Sequence, residues 1–219
     1  MHPRRASFLT PFLILFCAAW GPLDFATEDC TEFGSTFGSL EEEYAVYSAV
    51  IEKYYIQDSA RVKLALIFDD YPSRPSKICA KGGRESCAQQ LADNEPFRLN
   101  LPGLVYETIK DFRSRCADGA PRLTEKFKLS RPYKIVALTD LPEHKADDVN
   151  FFWNELRKKY EGSAGLISFS RPGFNREATQ ALIQVGLSWG PLAGRGLYAQ
   201  LEKTDGAWKV KNEFSYLVY

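Results

Sequence analysis

From Leu40 onward, apolar side chains recur in alternating steps of four and three, at Leu40, Tyr44, Tyr47, Ile51 and Tyr54. On a repeat of 3.6 residues these positions share one face, so an amphipathic helix ending near Gln57 is expected. Ser39 followed by Glu42 has capping-box spacing, which supplies partners to N–H groups left over at a helix start. Residues 62–68 are short and apolar, a strand stopped by Asp69-Asp70-Tyr71-Pro72. The stretch 72–98 reads as loop, with Pro72, Pro75, Gly82, Gly83 and Pro96. Asn100 and Pro102 can open a second helix in which Val105, Ile109, Phe112 and Cys116 share one side. Residues 133–138 are a second strand candidate. Asp140 and Glu143 repeat the capping spacing, Pro142 suits a first turn, and Val149, Phe152, Leu156 and Tyr160 follow on one face. Arg157, Lys158 and Lys159 suit the negative end of that helix, and Gly162 ends it.

The pattern changes after Gly162. Residues 165–170, 178–189, 196–203 and 208–219 are strand-like runs, separated by turns at Pro172-Gly173-Phe174-Asn175, at Gly190-Pro191-Leu192-Ala193-Gly194 and at Asp205-Gly206. Asp-Gly between alternating runs is a strong hairpin signal, because both residues tolerate positive φ. Consecutive strands joined by short turns pair antiparallel. The expected fold is therefore α+β: about three helices packed on one face of a curved antiparallel sheet with a C-terminal four-stranded meander. Residues 39–219 read as one domain, preceded by a tail at 20–38.

Two stretches carry a resemblance. Phe152-Trp153, Tyr160, Gly165-Leu166-Ile167-Ser168-Phe169-Ser170-Arg171 and Gly173-Phe174-Asn175 are similar to a set of exported bacterial proteins with no assigned function. Gly190, Gly194, Gly196-Leu197-Tyr198 and Gly206-Ala207-Trp208-Lys209-Val210 belong to the same likeness, which covers about residues 40–219. It implies a bacterial source and a meander, and brings no catalytic residues. Leu201-Glu202-Lys203 with Gly206-Ala207-Trp208-Lys209-Val210 also resembles the closing strands of NTF2-like cone-shaped domains.

The N-terminal residues have three parts: Arg4 and Arg5, an apolar stretch from Phe8 to Ala19 broken only by Thr10 and Pro11, and small residues at Cys17, Ala18 and Ala19. This is the layout of a secretory signal peptide, and the stretch falls short of the ~20 residues that span a bilayer. Cleavage after Ala19 is expected, giving a periplasmic or secreted protein. A lipid anchor through Cys17 is the alternative, though Phe16 is bulky for a lipoprotein box. The Arg4-Arg5 pair lacks twin-arginine spacing. Losing Arg4 and Arg5 from 28 basic residues against 28 acidic ones leaves a net charge of about −2. Such a balance gives no field to draw in nucleic acid or an anionic membrane, and no later apolar run is long enough to form a stable membrane span.

Export changes the reading of the cysteines. Cys30, Cys79, Cys87 and Cys116 remain after cleavage, and an even number in an oxidising compartment suggests two disulfides. Cys79 and Cys87 flank a polar glycine-containing loop, so Cys79–Cys87 and Cys30–Cys116 are the expected pairs among three possible connectivities. On the chain-entropy account these bridges stabilise by roughly 2.6 and 4.6 kcal/mol. A zinc site is disfavoured, since no close Cys-x-x-Cys pair exists and His144 is the sole histidine beyond the leader.

The candidate chemistry is thin. Gly186-Leu187-Ser188-Trp189-Gly190 matches a nucleophile elbow, but a proline and further glycines follow where a helix is required, and His144 lies upstream of the serine. The glycines at 190, 194 and 196 lack the lysine and hydroxyl residue of a phosphate cradle. Glu143, His144, Asp147 and Asp148 read as a solvated helix start. Asp69 and Asp70 end a strand and could act as acid or base, yet adjacent strand residues point to opposite faces, and a turn cap before Pro72 is the plainer role. Arg171, Arg195, Trp189 and Tyr198 could gather at one end of the sheet as a binding surface.

Two hypotheses follow. The first is a non-enzymatic binding or interaction module for an unknown small molecule or protein, with Trp189 and Arg195 exposed around a groove and no cofactor. The second is an NTF2-like pocket protein or enzyme using a lone carboxylate, Asp69 or Asp70, inside an apolar pocket of at least ~300 Å³.

Overall fold

The computed structural model describes residues 37–57, 62–69, 89, 91–115, 123–145, 148 and 150–218. The leader with Cys17, most of the 20–38 tail, Asp70, Asp147 and the four cysteines of the expected bridges (Cys30, Cys79, Cys87 and Cys116) lie outside the described residues.

The first helix, α1 (Leu40–Ile51), runs directly into a π-helical segment, Glu52–Gln57. Ser39 Oγ accepts the Glu42 N–H at 3.2 Å, half of the expected capping box. Tyr44, Tyr47, Ile51 and Tyr54 are buried as the periodicity requires, whereas Leu40 stays exposed. The wider π turn allows Tyr54, Tyr55 and Ile56 all to be buried in succession. Tyr55 Oη donates to the Gly165 carbonyl at 2.5 Å and accepts the Gly165 N–H at 3.0 Å, pinning this segment to the start of the distant strand at Leu166–Phe169.

A strand, β1 (Ala65–Phe68), is followed by α2 (Glu95–Asn100) and α3 (Tyr106–Arg115). The expected second helix is α3, which starts at Tyr106 and not at Asn100; Asn100 instead closes α2, a helix that begins inside the stretch 72–98 read as loop, and its side-chain amide donates back to the Pro96 carbonyl. Asn94 caps α2, accepting the Phe97 N–H at 2.9 Å, and Pro96 occupies its first turn. Ile109 and Phe112 of α3 are buried as expected, but Val105 is exposed.

Next come β2 (Tyr133–Val136), a 3₁₀ turn (Leu138–Asp140) and α4 (Phe151–Lys159). Here too the helix start moves. Asp140 accepts the Ala137 N–H within the 3₁₀ turn, while Asp148 Oδ1 accepts the N–H groups of Asn150 and Phe151 at 2.9 and 3.1 Å and starts α4. The remaining strands are β3 (Leu166–Phe169), β4 (Gly173–Phe174), β5 (Gln180–Gly190), β6 (Ala193–Thr204) and β7 (Ala207–Val218).

All seven strands join one sheet in the order β2-β1-β3-β5-β6-β7, with β4 paired to β5. The fold class is α+β with a C-terminal meander: β3–β5, β5–β6 and β6–β7 are antiparallel. The sheet as a whole is mixed rather than antiparallel, because β1 pairs parallel with both β2 and β3. The helices are not confined to one face either. Alternate residues of one strand point oppositely, and both sets are buried. Ala181, Ile183 and Val185 of β5 face a core with Tyr44, Tyr47 and Ile51 of α1. Leu182 and Tyr198 face a second core with Phe97, Ile109 and Phe112, and Leu66 faces a third with Phe152, Trp153 and Leu156. The sheet is therefore sandwiched, α1 on one side and α2, α3 and α4 on the other.

Two glycines matter for this arrangement. A Cβ on Gly173 would stand 2.1 Å from the Phe112 backbone nitrogen, so α3 packs directly on the β4 backbone. Asp205 and Gly206, both at positive φ (54° and 78°), form the tight β6–β7 turn expected for Asp-Gly.

Candidate functional site

The outer face of α1 forms the floor of an open trough of about 870 Å³. Glu42 and Tyr44 lie on opposite flanks of the helix, and Glu41, Ala45 and Ala49 run between them toward the outside, as a 100° rotation per residue requires. Ala45 is exposed and Ala49 half-buried, and their methyl groups leave the floor low.

Each bank is tied to α1 by hydrogen bonds. On one side lies the segment 123–130. Tyr44 Oη accepts the Thr124 N–H at 2.7 Å, Ser48 Oγ accepts the Lys128 N–H at 3.0 Å, and Glu52 takes the N–H and hydroxyl of Ser130. This bank carries Lys126 and Lys128, both exposed. The β6–β7 hairpin forms the other bank. Lys203 Nζ donates to Glu42 Oε1 at 2.6 Å and Trp208 Nε1 donates to Glu42 Oε2 at 2.5 Å. Val210 and the backbone at Lys209 continue this wall; the exposed Lys209 side chain, between Trp208 and Val210, points to the other face of the sheet. Partial burial tends to raise the Glu42 pKa, but the bonds from Lys203 and Trp208 outweigh it and hold the carboxyl below its ordinary range.

Five lysines, at 53, 126, 128, 203 and 209, line the trough against three glutamates, at 41, 42 and 52. Glu42 and Glu52 are engaged in holding the banks. Among the described residues, no carboxylate lies within ion-pair distance of Lys126, Lys128 or Lys209. The result is a low, partly apolar floor between a bank whose Lys126 and Lys128 have no carboxylate partner among the described residues and a hairpin bank whose Lys203 is paired with Glu42.

The residues singled out from sequence lie elsewhere, and in three different settings. Arg171 is turned inward onto Glu43, its Nη2 2.6 Å from Oε1. Glu43 is also paired with Arg115, at 2.6 Å, and Arg115 with Asp111, at 2.8 Å. Asp111 Oδ2 accepts the Phe174 N–H at 2.7 Å, and the Arg115 guanidinium lies over the Phe174 ring. Burial pushes the Asp111 carboxyl above its ordinary range, with Arg115 acting against that shift. This set of two arginines and two acids locks α1, α3 and the approach to β4 together.

Tyr198 is 1% exposed, packed among Phe97, Phe112, Phe214 and Tyr216 on the face opposite α1, so it is core and not surface. Arg195 pairs with Glu213 and donates to Ser215 Oγ at 2.9 Å. Trp189 is 44% exposed, and its carbonyl accepts from Arg157 Nη2 at 2.9 Å. Neither Arg195 nor Trp189 lines the trough.

Asp69 is half-buried and outside the trough, and its Oδ1 accepts the Leu123 N–H at 3.0 Å, a long-range tie to the 123–130 segment; the turn before Pro72 lies outside the described residues. Ser188 belongs to β5, which passes through Pro191-Leu192 into β6, so the chain there is a hairpin and not a strand-to-helix elbow. His144 stacks on Phe152 at 6.2 Å. Among the described residues, no three His, Cys, Asp or Glu side chains are grouped to hold a metal ion, and no helix is long and apolar enough to cross a membrane.

Sequence reasoning missed the trough residues because each is ordinary alone. The available signals were the outward Ala45–Ala49 pair and the lysines alternating with apolar residues in Lys126-Phe127-Lys128-Leu129. No protein-family model matches the chain, and no curated protein or solved structure is similar to it. The trough must therefore be interpreted from its own geometry.

Proposed function

We propose that the protein is an exported, non-enzymatic binding module whose site is the α1 trough, and that its ligand is anionic. The observation that carries this reading is the pairing of a low alanine floor with Lys126 and Lys128 on one bank, neither of which has a carboxylate partner among the described residues. Maintaining unneutralised cations beside one another costs self-repulsion, which an anionic ligand relieves. The volume, about 870 Å³, is within the range of ligand sites. Among the described residues, its lining includes no histidine, cysteine or buried carboxylate to act on a ligand, which favours binding over turnover.

Thermal unfolding in the presence of a panel of anions tests the proposal: inorganic polyphosphate, citrate, an acidic peptide and a short oligonucleotide. At least one should raise the midpoint, since a ligand at 100 times its Kd stabilises by about 2.7 kcal/mol. Ala45→Trp, which fills the floor with an exposed side chain, should abolish that rise. A panel without effect, or an equal effect on Ala45→Trp, would overturn the assignment.

A further inference from the structure

Trp189 and Leu192 lie away from the trough, and the sheet register shows what they have in common. Ser188 is the last residue of β5 to pair with β3, and Arg195 is the first residue of β6 to pair with β7. The turn at 189–194 therefore overhangs both neighbouring strands, by roughly 7–10 Å at the rise of a strand. Exposed turns ordinarily carry polar side chains, yet from Ser188 to Gly194 no residue is charged. Trp189 is 44% and Leu192 80% exposed, and Val218, paired with Arg195 at the same end, is 74% exposed.

The near-neutral charge of the whole chain conceals a basic surface around this turn. β1 runs parallel to β2 and β3, so all three begin at the end where β5 stops, and α4 leads into β3 from that end. Lys63 precedes β1 with its side chain against Gly162, and Arg131 precedes β2. Arg157 of α4 donates from Nη2 to the Trp189 carbonyl at 2.9 Å. Lys63, Arg131 and Arg157 are exposed, and among the described residues no carboxylate lies within ion-pair distance of them. Of the acids nearby, Glu155 is paired with Lys158 and Glu213 with Arg195, while the exposed Glu161 offsets part of the excess.

We infer that this end of the molecule docks on the surface of an anionic lipid bilayer, with the 189–194 turn entering the boundary between headgroups and acyl chains. An indole has an apolar body and an N–H donor, and it favours that boundary. Apolar side chains backed by cations are the pattern of interfacial anchoring, whose depth of about 5–10 Å matches the overhang. Lysine and arginine close to anionic headgroups add attraction. A protein partner would call for a polar rim rich in hydrogen bonds, and residues 189–194 bring no polar side-chain group besides the indole N–H. This surface is separate from the α1 trough, which none of Lys63, Arg131, Arg157, Trp189 and Leu192 lines.

The test is co-sedimentation of the secreted protein with large vesicles of phosphatidylcholine, with and without phosphatidylglycerol. Binding should be about tenfold tighter to the anionic vesicles and should weaken about tenfold between about 50 and 300 mM salt. Leu192→Asp should weaken it by about tenfold, and Lys63→Glu/Arg131→Glu should lower it to the level of neutral vesicles. Brominated lipid should quench the emission of the unaltered protein more than that of Trp189→Phe. Leu192, Lys63 and Arg131 are exposed, so circular dichroism and the unfolding midpoint should not change in these variants. Stabilisation by anions at the trough should persist in Leu192→Asp, so either reading can fail without the other.

No sedimentation with anionic vesicles, equal binding to neutral ones, or binding unchanged in Leu192→Asp would overturn the inference. Self-association without lipid that Leu192→Asp abolishes, in the absence of vesicle binding, would assign the turn to a second copy of the chain and overturn it as well.

Discussion

Glu43 shows how far a single side chain can depart from its sequence appearance. It sits in a run of three glutamates in the first turn of α1, where acids ordinarily face water and favour the helix dipole. Instead it is buried, held between Arg115 and Arg171. Removing one partner of a buried pair leaves the other charge uncompensated, so Arg115→Ala should lower the unfolding free energy by about 3–5 kcal/mol, read from urea denaturation. Glu42, one residue earlier, faces the trough wall and should set part of the acid sensitivity. Its carboxyl titrates below the ordinary range in the folded state, so it contributes stability that is present above its unfolded pKa and is lost as the pH falls through the folded one. Glu42→Gln should therefore flatten the stability profile below about pH 4, measured as urea midpoints across that range. Asp111 acts in the opposite sense, because burial raises its pKa: stability from its protonated form declines as the pH rises through that folded value. Neither environment could be read from the residue type. The capping spacing of Ser39 and Glu42 was legible, but the Glu42 carboxylate is claimed by Lys203 and Trp208, which lie 161 and 166 positions away.

Elements whose signals are local were the legible ones. The periodicity of α1 and the Asp205-Gly206 hairpin depend on neighbours in sequence, and both formed as expected. Two helices were misplaced for want of a local ranking of caps: α2, capped by Asn94, began inside a stretch read as loop, and the start of α4 moved from Asp140 to Asp148. Spacing alone does not rank such caps; packing of Phe97 and Phe152 into their cores does. Two glycine substitutions should separate local from tertiary constraint. Gly206→Ala introduces a side chain into open space at φ 78°, so only backbone strain of about 1 kcal/mol is expected. Gly173→Ala drives a Cβ into the Phe112 backbone and should cost about 3 kcal/mol, with α3 displaced. Thermal and urea unfolding of the two variants would show that ordering; an equal cost would mean that α3 is free to move away from β4.

At the scale of the whole molecule, β2 and β7 end the sheet, and β7 is the long edge. Register shifts opposite Gly196–Leu197 and Gln200–Leu201, with Lys209 and Lys211 along the strand, are devices that discourage pairing with another edge. Export is proposed from the three-part leader. Intact mass measurement of the secreted protein should show residues 1–19 removed, and reduction should add the mass of four hydrogens if Cys30, Cys79, Cys87 and Cys116 form two bridges. A full-length product with no change on reduction would remove both the compartment and the cross-links. The chain by itself determined what depends on neighbours: the amphipathic face of α1, the meander and its tight turn, the α+β class and the balanced charge. Tertiary structure alone decided that the sheet is mixed and covered on both faces, that Tyr198 is core while Arg171 closes an internal ion network, and that lysines from 123–130 and from the hairpin flank the same helix. Periodicity reports which side of an element is apolar, but the partner of each side is chosen by long-range packing, and a trough exists only after three distant segments have been brought together.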